Sequence, residues 1–235
     1  TLNKKKIAEI FRSLVDEASR GERAYLWSMY DSVLAATSIA RNIGYIPPTH
    51  ARASKSLCDF RAVERLLDET LLPDAPALID KILNLSIAQA YNGVIDFTDQ
   101  VYMPALFGGT YPSFPVVLVD EYQDLSPVNR AMVGRLCKHS RQIGVGDEAQ
   151  AIYEFRGADT RAMPDAISQF SMVTLPLSIS FRCPDAITNN VHWHVPDIRS
   201  AERGGIVARG NIQSIEDNST VICRYNAPLI SLAME

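Results

Sequence analysis

The chain is poor in the features that mark disulfide-stabilised, zinc-binding and membrane proteins. Its four cysteines lie far apart in 235 residues, with no Cys-x-x-Cys, so we expect reduced thiols rather than a disulfide framework or a zinc site. His192 and His194 flank Trp193 without a third ligand nearby, which argues against a metal pair there. No apolar run approaches the ~18 residues that span a bilayer, and no signal peptide is visible. These absences predict a soluble, cytoplasmic protein.

A strong overall positive charge is also missing, because the formal net charge is -4. The charge is unevenly distributed: residues 1–65 hold 11 Lys and Arg against 7 Asp and Glu, whereas residues 66–130 hold 2 against 9. The basic first block could meet phosphate backbones. A solvated helix face bearing Lys4, Lys5, Lys6 and Arg12 explains the same residues equally well.

The periodicity of apolar residues divides the chain near residue 94. The earlier part predicts amphipathic helices over residues 2–19, 22–43, 57–72 and 75–91, with Pro47 and Pro48 in a loop. From Asp96 onward strand and helix patterns alternate, which is typical of a parallel sheet with covering helices. Ser126 before Pro127, and Pro184, are good helix starts.

Three apolar stretches predicted as strands lead into polar residues that can do chemistry. Residues 116–119, Val-Val-Leu-Val, read as a fully buried parallel strand that ends in the carboxylates of DEYQD (120–124). A second short strand leads into GDEAQAIYEFRGA (146–158), and a third, over residues 173–180, leads into Phe181 and Arg182. Ligands of open α/β sheets bind at the carboxyl ends of the strands, so these residues are candidates for one site.

In order, spacing and residue chemistry, these three segments resemble the UvrD/Rep-type helicases of superfamily 1. Residues 94–100, VIDFTDQ, resemble the family's DFDDL segment, and residues 220–227, TVICRYNA, resemble the strand that opens its second motor domain. The resemblance implies an α/β fold, a partial RecA-like P-loop NTPase parallel sheet with a mostly helical accessory subdomain. It assigns residues 1–93 to the accessory subdomain, 94–180 to the first motor domain and 181–235 to the start of the second.

The resemblance also implies a role for individual side chains at an ATP and Mg²⁺ site. Asp120 and Glu121 are the implied metal residues, with Asp120 on nucleotide-bound Mg²⁺ and Glu121 orienting or deprotonating the hydrolytic water. Gln150 corresponds to the glutamine that senses the γ-phosphate, and Arg182 to the arginine that reaches that phosphate. Phe181 takes the place of a tyrosine that packs on adenine. Gln123 and Asp124 are supporting residues that tie the strand end to its neighbours.

The segment after Gln150 resembles the family's contact with single-stranded DNA. Tyr153, Phe155 and Arg156 are the implied DNA-binding residues, since an aromatic ring stacks on a base without choosing sequence. Core packing is the alternative for Tyr153 and Phe155, and the preferred interpretation for Ile152.

No Gly-x-x-x-x-Gly-Lys-[Ser/Thr] occurs, so the sequence contains no phosphate-binding loop. We therefore expect an internal part of a longer ATP-dependent DNA helicase, inactive by itself, whose full-length form moves 3′ to 5′ on single-stranded DNA and unwinds single/double-strand junctions. The motor part of a helicase–nuclease is one alternative. A non-catalytic DNA-binding or scaffolding module of the same fold is another.

Overall fold

The computed structural model describes residues 1–67, 70–151, 161–210, 219–223 and 226–234. The chain divides into two compact units, residues 1–174 and 175–235. The helices before residue 108 are α1 (Lys6–Glu17), α2 (Arg20–Ser28), α3 (Tyr30–Ile43), α4 (Phe60–Arg65), α5 (Ala75–Tyr91) and α6 (Asp99–Phe107). Short 3₁₀ turns occupy Ala53–Lys55, Tyr122–Asp124 and Glu148–Gln150.

Local chemistry explains where these helices begin and end. Ser19 and Glu22 form a capping box that starts α2. The helix predicted over 22–43 is two helices, since α2 ends at Ser28 and α3 begins at Tyr30, on either side of Met29. Gly44 closes α3 in the left-handed region at φ 83°, a conformation in which glycine carries no Cβ penalty. The 57–72 prediction was too long, because α4 covers only Phe60–Arg65.

The main hydrophobic core lies among α1, α3, α4 and α5. One apolar face of each helix is buried there, which is the burial that stabilises amphipathic helices in water. The largest side chains in this core with less than 2% exposure are Phe11, Met29, Val33, Val63, Ile79, Ile82 and Leu83. A second, smaller cluster joins α6 to the end of α5 and to Val128.

Four buried charges connect α1 and α3 to residues 96–99. The Lys6 ammonium lies 2.6 Å from Asp99 Oδ2 and donates to the Ser86 carbonyl at 2.7 Å. The Arg41 guanidinium donates to both carboxylate oxygens of Asp96 and, at 2.8 Å, to Asp99 Oδ1. We call these four residues, Lys6, Arg41, Asp96 and Asp99, the charge cluster. The prediction that Lys6 lies on a solvated or phosphate-facing surface was wrong, since its exposure is 1%.

The first residues of the chain pair with the segment that precedes α6. Leu2 and Ile95 form an isolated parallel bridge, in which the Asn3 N–H donates to the Ile95 carbonyl at 2.7 Å and the Ile95 N–H donates to the Thr1 carbonyl at 3.0 Å. Together with the charge cluster, this bridge holds the start of the helical region beside its end.

Alternating strands and helices follow α6, as predicted. The elements are β1 (Val116–Val119), α7 (Pro127–Leu136), β2 (Arg141–Gly144) and α8 (Ala162–Phe170). Strands β1 and β2 are parallel, with Val116 opposite Arg141 and Val119 opposite Gly144, and α7 is their crossover. Helix α7 begins at Pro127 because the Ser126 hydroxyl accepts from the Asn129 N–H.

Strand β1 is parallel but not fully buried, which corrects the prediction. Leu118 is 73% exposed and Val116 is 47% exposed. Exposure alternates along the strand, with Val117 and Val119 partly buried between the exposed positions. Because successive side chains of a strand point to opposite faces, the face that carries Val116 and Leu118 has little cover among the described residues.

The second unit contains β3 (Ile179–Ser180), α9 (Asp185–Val191), β4 (Arg199–Ser200) and α10 (Asn226–Met234). Strands β3 and β4 are again parallel, with α9 between them. Residues 219–223 form no strand and Asn226 already begins a helix, so the strand predicted over 220–227 is wrong for the described residues. None of the helices in the described part of the chain is long and apolar enough to cross a membrane.

Candidate active site

Asp120 and Glu121, the first two carboxylates of DEYQD, directly follow β1. They lie at the edge of the sheet at which β2 also ends. The Val145 N–H donates to the Val119 carbonyl at 2.8 Å, and the Tyr122 N–H donates to the Val145 carbonyl at 2.9 Å. This ladder continues the parallel pairing past both strands and brings the two polar loops together. Asp120 and Glu121 are exposed here, and Asp120 Oδ1 accepts from the Glu121 N–H at 3.0 Å.

Glu121 has a left-handed backbone, with φ 49° and ψ 48°. Left-handed conformations of non-glycine residues are unfavourable and occur mostly where the surroundings enforce them. At this residue the chain turns out of the strand into the 3₁₀ turn Tyr122–Asp124. The turn separates Glu121, which stays at the solvent-facing strand end, from Tyr122 and Gln123, which are buried.

Gln123 connects the two polar loops through a side chain that is only 4% exposed. Its Nε2 donates to Glu121 Oε2 at 2.7 Å, and its Oε1 accepts from the Asp147 N–H at 3.0 Å. Asp147 in turn accepts from Gln150 Nε2 at 2.7 Å and from the Ala149 N–H at 3.0 Å. The predicted supporting role of Gln123 thus has a definite geometry, and the structure brings Asp120, Glu121 and Gln150 into one hydrogen-bonded array.

Glycine is required at position 146 by the packing of this array. A Cβ there would lie 2.6 Å from Gln123 Oε1, which is closer than real Cβ contacts, and 3.1 Å from the Tyr122 backbone nitrogen, which is tighter than most. The Gly-Asp pair in GDEAQ therefore has two purposes: the glycine leaves room for Gln123, and the aspartate that follows receives its hydrogen bond.

Tyr122, next to Gln123 in the 3₁₀ turn, supports the array by packing. It is 2% exposed, and its hydroxyl accepts from Gln142 Nε2 at 2.9 Å. Burial raises the pKa of the Tyr122 phenol above its ordinary value, so the ring is a neutral, packed support rather than an ionisable group.

The remaining implied ATP-site residues lie in the second unit, around β3. Phe181 is 77% exposed and Arg182 is also exposed. The Ser180 hydroxyl accepts from the Arg182 N–H at 3.3 Å and from the Cys183 N–H at 3.0 Å, which fixes the backbone of this turn while leaving both side chains accessible. The implied DNA-binding residues Tyr153, Phe155 and Arg156 lie outside the described part of the chain.

The carboxylates have the oxygen chemistry that Mg²⁺ prefers. Asp120 and Glu121 each keep one carboxylate oxygen that makes no protein hydrogen bond among the described residues. Mg²⁺ is usually bound through one or two carboxylates, water and substrate phosphates, so this pair fits it.

No cluster of three or more His, Cys, Asp or Glu that could hold a metal ion is found in the described residues. The His192 ring nitrogen Nε2 lies 2.7 Å from the Ile198 carbonyl oxygen.

Asp147 is the site residue that sequence reasoning did not assign. The signal was present, because Asp147 is the carboxylate that follows the second strand just as Asp120 follows the first. Only the structure, however, shows that its backbone and side chain join Gln123 to Gln150.

Comparison with known proteins identifies a helicase family over the segment that contains the array. Residues 66–171 match the sequence model of the UvrD/REP helicase N-terminal domain. The resemblance to UvrD/Rep-type helicases is therefore confirmed over this segment, which contains Asp120, Glu121, Gln123, Asp147 and Gln150.

Individual relatives include RecB subunits and a helicase/nuclease subunit. The chain is 33% identical to RecBCD enzyme subunit RecB of Mycolicibacterium smegmatis over 103 residues, and 49% identical to RecB of Mycobacterium tuberculosis over 96 residues. It is 34% identical over 97 residues to one subunit of the ATP-dependent helicase/nuclease of Staphylococcus haemolyticus. These matches cover 36–40% of this chain and 8–10% of the relatives, so the chain matches about a tenth of each relative's length.

Proposed function

We propose that this chain is part of an ATP-dependent DNA helicase of the UvrD/Rep type. The full-length protein would couple ATP hydrolysis to 3′-to-5′ movement on single-stranded DNA and to duplex unwinding, and it would act in the cytoplasm. Residues 1–93 would form its accessory subdomain, 94–180 the second part of a RecA-like motor domain, and 181–235 the start of the next motor domain.

One observation carries the proposal: two parallel strands end in polar loops that are hydrogen-bonded to each other through Gln123. One loop presents adjacent carboxylates and the other presents a carboxylate and an amide. Such a constellation at the carboxyl ends of parallel strands is where α/β proteins bind ligands, and it lies inside the segment that matches the helicase domain.

The residues of this array divide the chemistry among them. Asp120 and Glu121 would hold Mg²⁺, which neutralises phosphate charge when bound. Glu121 would accept the proton of the attacking water, because its second carboxylate oxygen is exposed and its first is fixed by Gln123. Gln150, an uncharged amide, would donate to the γ-phosphate and orient the same water.

The resemblance to the family also suggests roles for residues outside this array. Arg182 would stabilise charge that develops on the transferred phosphoryl group, and the exposed face of Phe181 would stack on adenine. Tyr153, Phe155 and Arg156 would contact single-stranded DNA, in which aromatic stacking contributes about 1–3 kcal/mol per base.

Glu121→Gln in the full-length protein tests the proposal. The amide keeps the shape of the side chain but cannot accept a proton, so we expect nucleotide binding to persist while DNA-stimulated ATP hydrolysis falls by orders of magnitude. Fluorescent-nucleotide binding and phosphate release, measured on the same preparation, separate the two effects. Hydrolysis at the wild-type rate would remove Glu121 from catalysis, and absence of hydrolysis in the wild type would favour a non-catalytic module.

The names of the relatives favour a second candidate, the motor part of a helicase–nuclease. Digestion of linear duplex DNA by the full-length protein in ATP and Mg²⁺ distinguishes it from a simple helicase. Unwinding without degradation supports the first candidate, whereas ATP-dependent degradation supports the second.

A further inference from the structure

Four hydrogen bonds, two of them made by Gln123, form a continuous path between the two polar loops. The path runs from Gln150 to Asp147 at 2.7 Å, from Asp147 to Gln123 at 3.0 Å, from Gln123 to Glu121 at 2.7 Å, and from Glu121 to Asp120 at 3.0 Å. We propose that Gln123 is a positioning residue that couples the Asp147–Gln150 loop to the carboxylate of Glu121. This inference rests on the proposed function.

The chemistry of the amide explains why glutamine suits this position. Gln123 meets an acceptor on one side, the Glu121 carboxylate, and a donor on the other, the Asp147 N–H. An amide supplies one group of each kind, whereas a carboxylate has no donor when ionised and an ammonium has no acceptor. Reversing the amide would place two acceptors together at one end and two donors at the other, so this orientation is the one that satisfies both partners.

Burial restricts the motion of the Gln123 side chain, which connects the two loops. Gln123 is 4% exposed, and the backbone of Gly146 packs so closely that a Cβ there would lie 2.6 Å from its Oε1. A displacement of the loop by a bound phosphate therefore cannot be absorbed by rotation of Gln123 into solvent. It moves the Glu121 carboxylate, whose backbone already occupies an unfavourable left-handed conformation.

The test compares Gln123→Met with Gln142→Met in the full-length protein. Gln123 is buried in the turn after β1, and Gln142 is partly buried in β2. Each variant replaces the glutamine with an unbranched apolar side chain of similar length and removes its side-chain hydrogen bonding. Only the first touches Glu121. We expect Gln123→Met to lower the DNA-stimulated kcat by about 10- to 100-fold, as misplacement of a reacting group does, with the KM for ATP and the melting temperature close to those of Gln142→Met.

A double-mutant cycle with Glu121→Gln separates this inference from the proposed function. If Gln123 acts through Glu121, adding Gln123→Met to Glu121→Gln causes no further loss of kcat. Multiplicative losses, an unchanged kcat in Gln123→Met, or an equal loss in Gln142→Met would each overturn the coupling while leaving Glu121 catalytic. Wild-type turnover in Glu121→Gln would instead remove Glu121 from catalysis and the coupling with it, and absence of hydrolysis in the wild type would overturn the proposed function.

Discussion

At the scale of single residues, the backbone of Glu121 is the most unusual feature of the site. A left-handed residue with a Cβ is less favourable than a right-handed one by about 1–2 kcal/mol, and glycine would avoid that penalty. The carboxylate is present at position 121 in spite of it. Strain of this kind is found where function requires a side chain that the backbone disfavours.

We predict that Glu121→Gly is more stable than Glu121→Ala by up to about 1 kcal/mol. Both variants lose the carboxylate and its bond from Gln123, but only glycine relaxes the left-handed strain, and its greater freedom in the unfolded chain offsets part of that gain. Urea denaturation of the two variants measures the difference. If the alanine variant is equally stable or more stable, no strain is stored at this residue.

The sequence indicates the participants of the site but not their contacts. Asp120, Glu121 and Asp147 are recognisable because each follows an apolar stretch, and the carboxyl ends of parallel strands meet at one edge. The hydrogen bonds of Gln123 are not recognisable in this way. They depend on a 3₁₀ turn that buries residues 122 and 123 and on the close approach of Gly146, which residue type and spacing do not encode.

At the scale of helices and strands, the charge cluster is the polar connection between α1, α3 and the start of α6. Its two positive and two negative groups compensate one another, and Arg41 and Asp99 each serve two partners. Buried charges are tolerated when they are paired and hydrogen-bonded in this way.

Removal of one charge from the cluster should be far more damaging than removal of its exposed neighbour. We predict that Lys6→Met lowers the free energy of unfolding by about 3–5 kcal/mol, because Asp99 is then buried with an incomplete set of partners. Lys5→Met makes the same change at an exposed position and should alter stability by less than about 0.5 kcal/mol. Chemical denaturation of both variants checks this, and similar losses would contradict a special role for Lys6.

The same cluster predicts sensitivity to acid. Burial by itself would raise the pKa of Asp96, but the hydrogen bond and charge of Arg41 outweigh it and hold the pKa below the ordinary value of 3.8. A lowered pKa in the folded state means that the stabilisation is complete above the unfolded pKa and is lost as the pH falls through the folded one.

We therefore expect the free energy of unfolding to decrease from about pH 5 downward, over the range in which paired carboxylates are protonated. Asp96→Asn cannot titrate, so it should be less stable at neutral pH and show a shallower decrease in acid. Denaturation curves at several pH values measure both slopes. Parallel slopes would show that Asp96 contributes little to the acid response.

Element boundaries were predictable where one local signal dominates. Helix α5 runs from Ala75 to Tyr91 as predicted, because Pro73 and the apolar periodicity define it. The break at Met29 was missed because the apolar periodicity continues from α2 through Met29 into α3. The burial of β1 was overestimated because an apolar run does not show whether both faces of the strand are covered, and exposure alternates along β1.

At the scale of the whole chain, the core is concentrated in the first unit. The buried hydrophobic residues identified in the structure all lie between Ile10 and Ala166. In the second unit, Leu175 and Leu177 are 80% and 90% exposed, and Trp193 is also exposed. Since burial of apolar surface is the main source of stability, the two units should differ in resistance to unfolding.

Limited proteolysis with chymotrypsin should reveal this difference. We expect early cleavage after exposed residues such as Leu177 and Phe181, while a product that contains α1 to α6 survives much longer, because cleavage of a packed helix requires local unfolding. Mass spectrometry of the time course identifies the cuts. Early cleavage within α3 or α5 would contradict the assignment of the stable core.

The bridge between Leu2 and Ile95 has a consequence for how this architecture can vary. It places Leu2, just before α1, beside Ile95, which follows α5. Insertions are tolerated best where the two ends of the inserted chain lie close together. The exposed positions and loops between Leu2 and Ile95 can therefore vary in length and sequence without changing the spacing of the two paired residues.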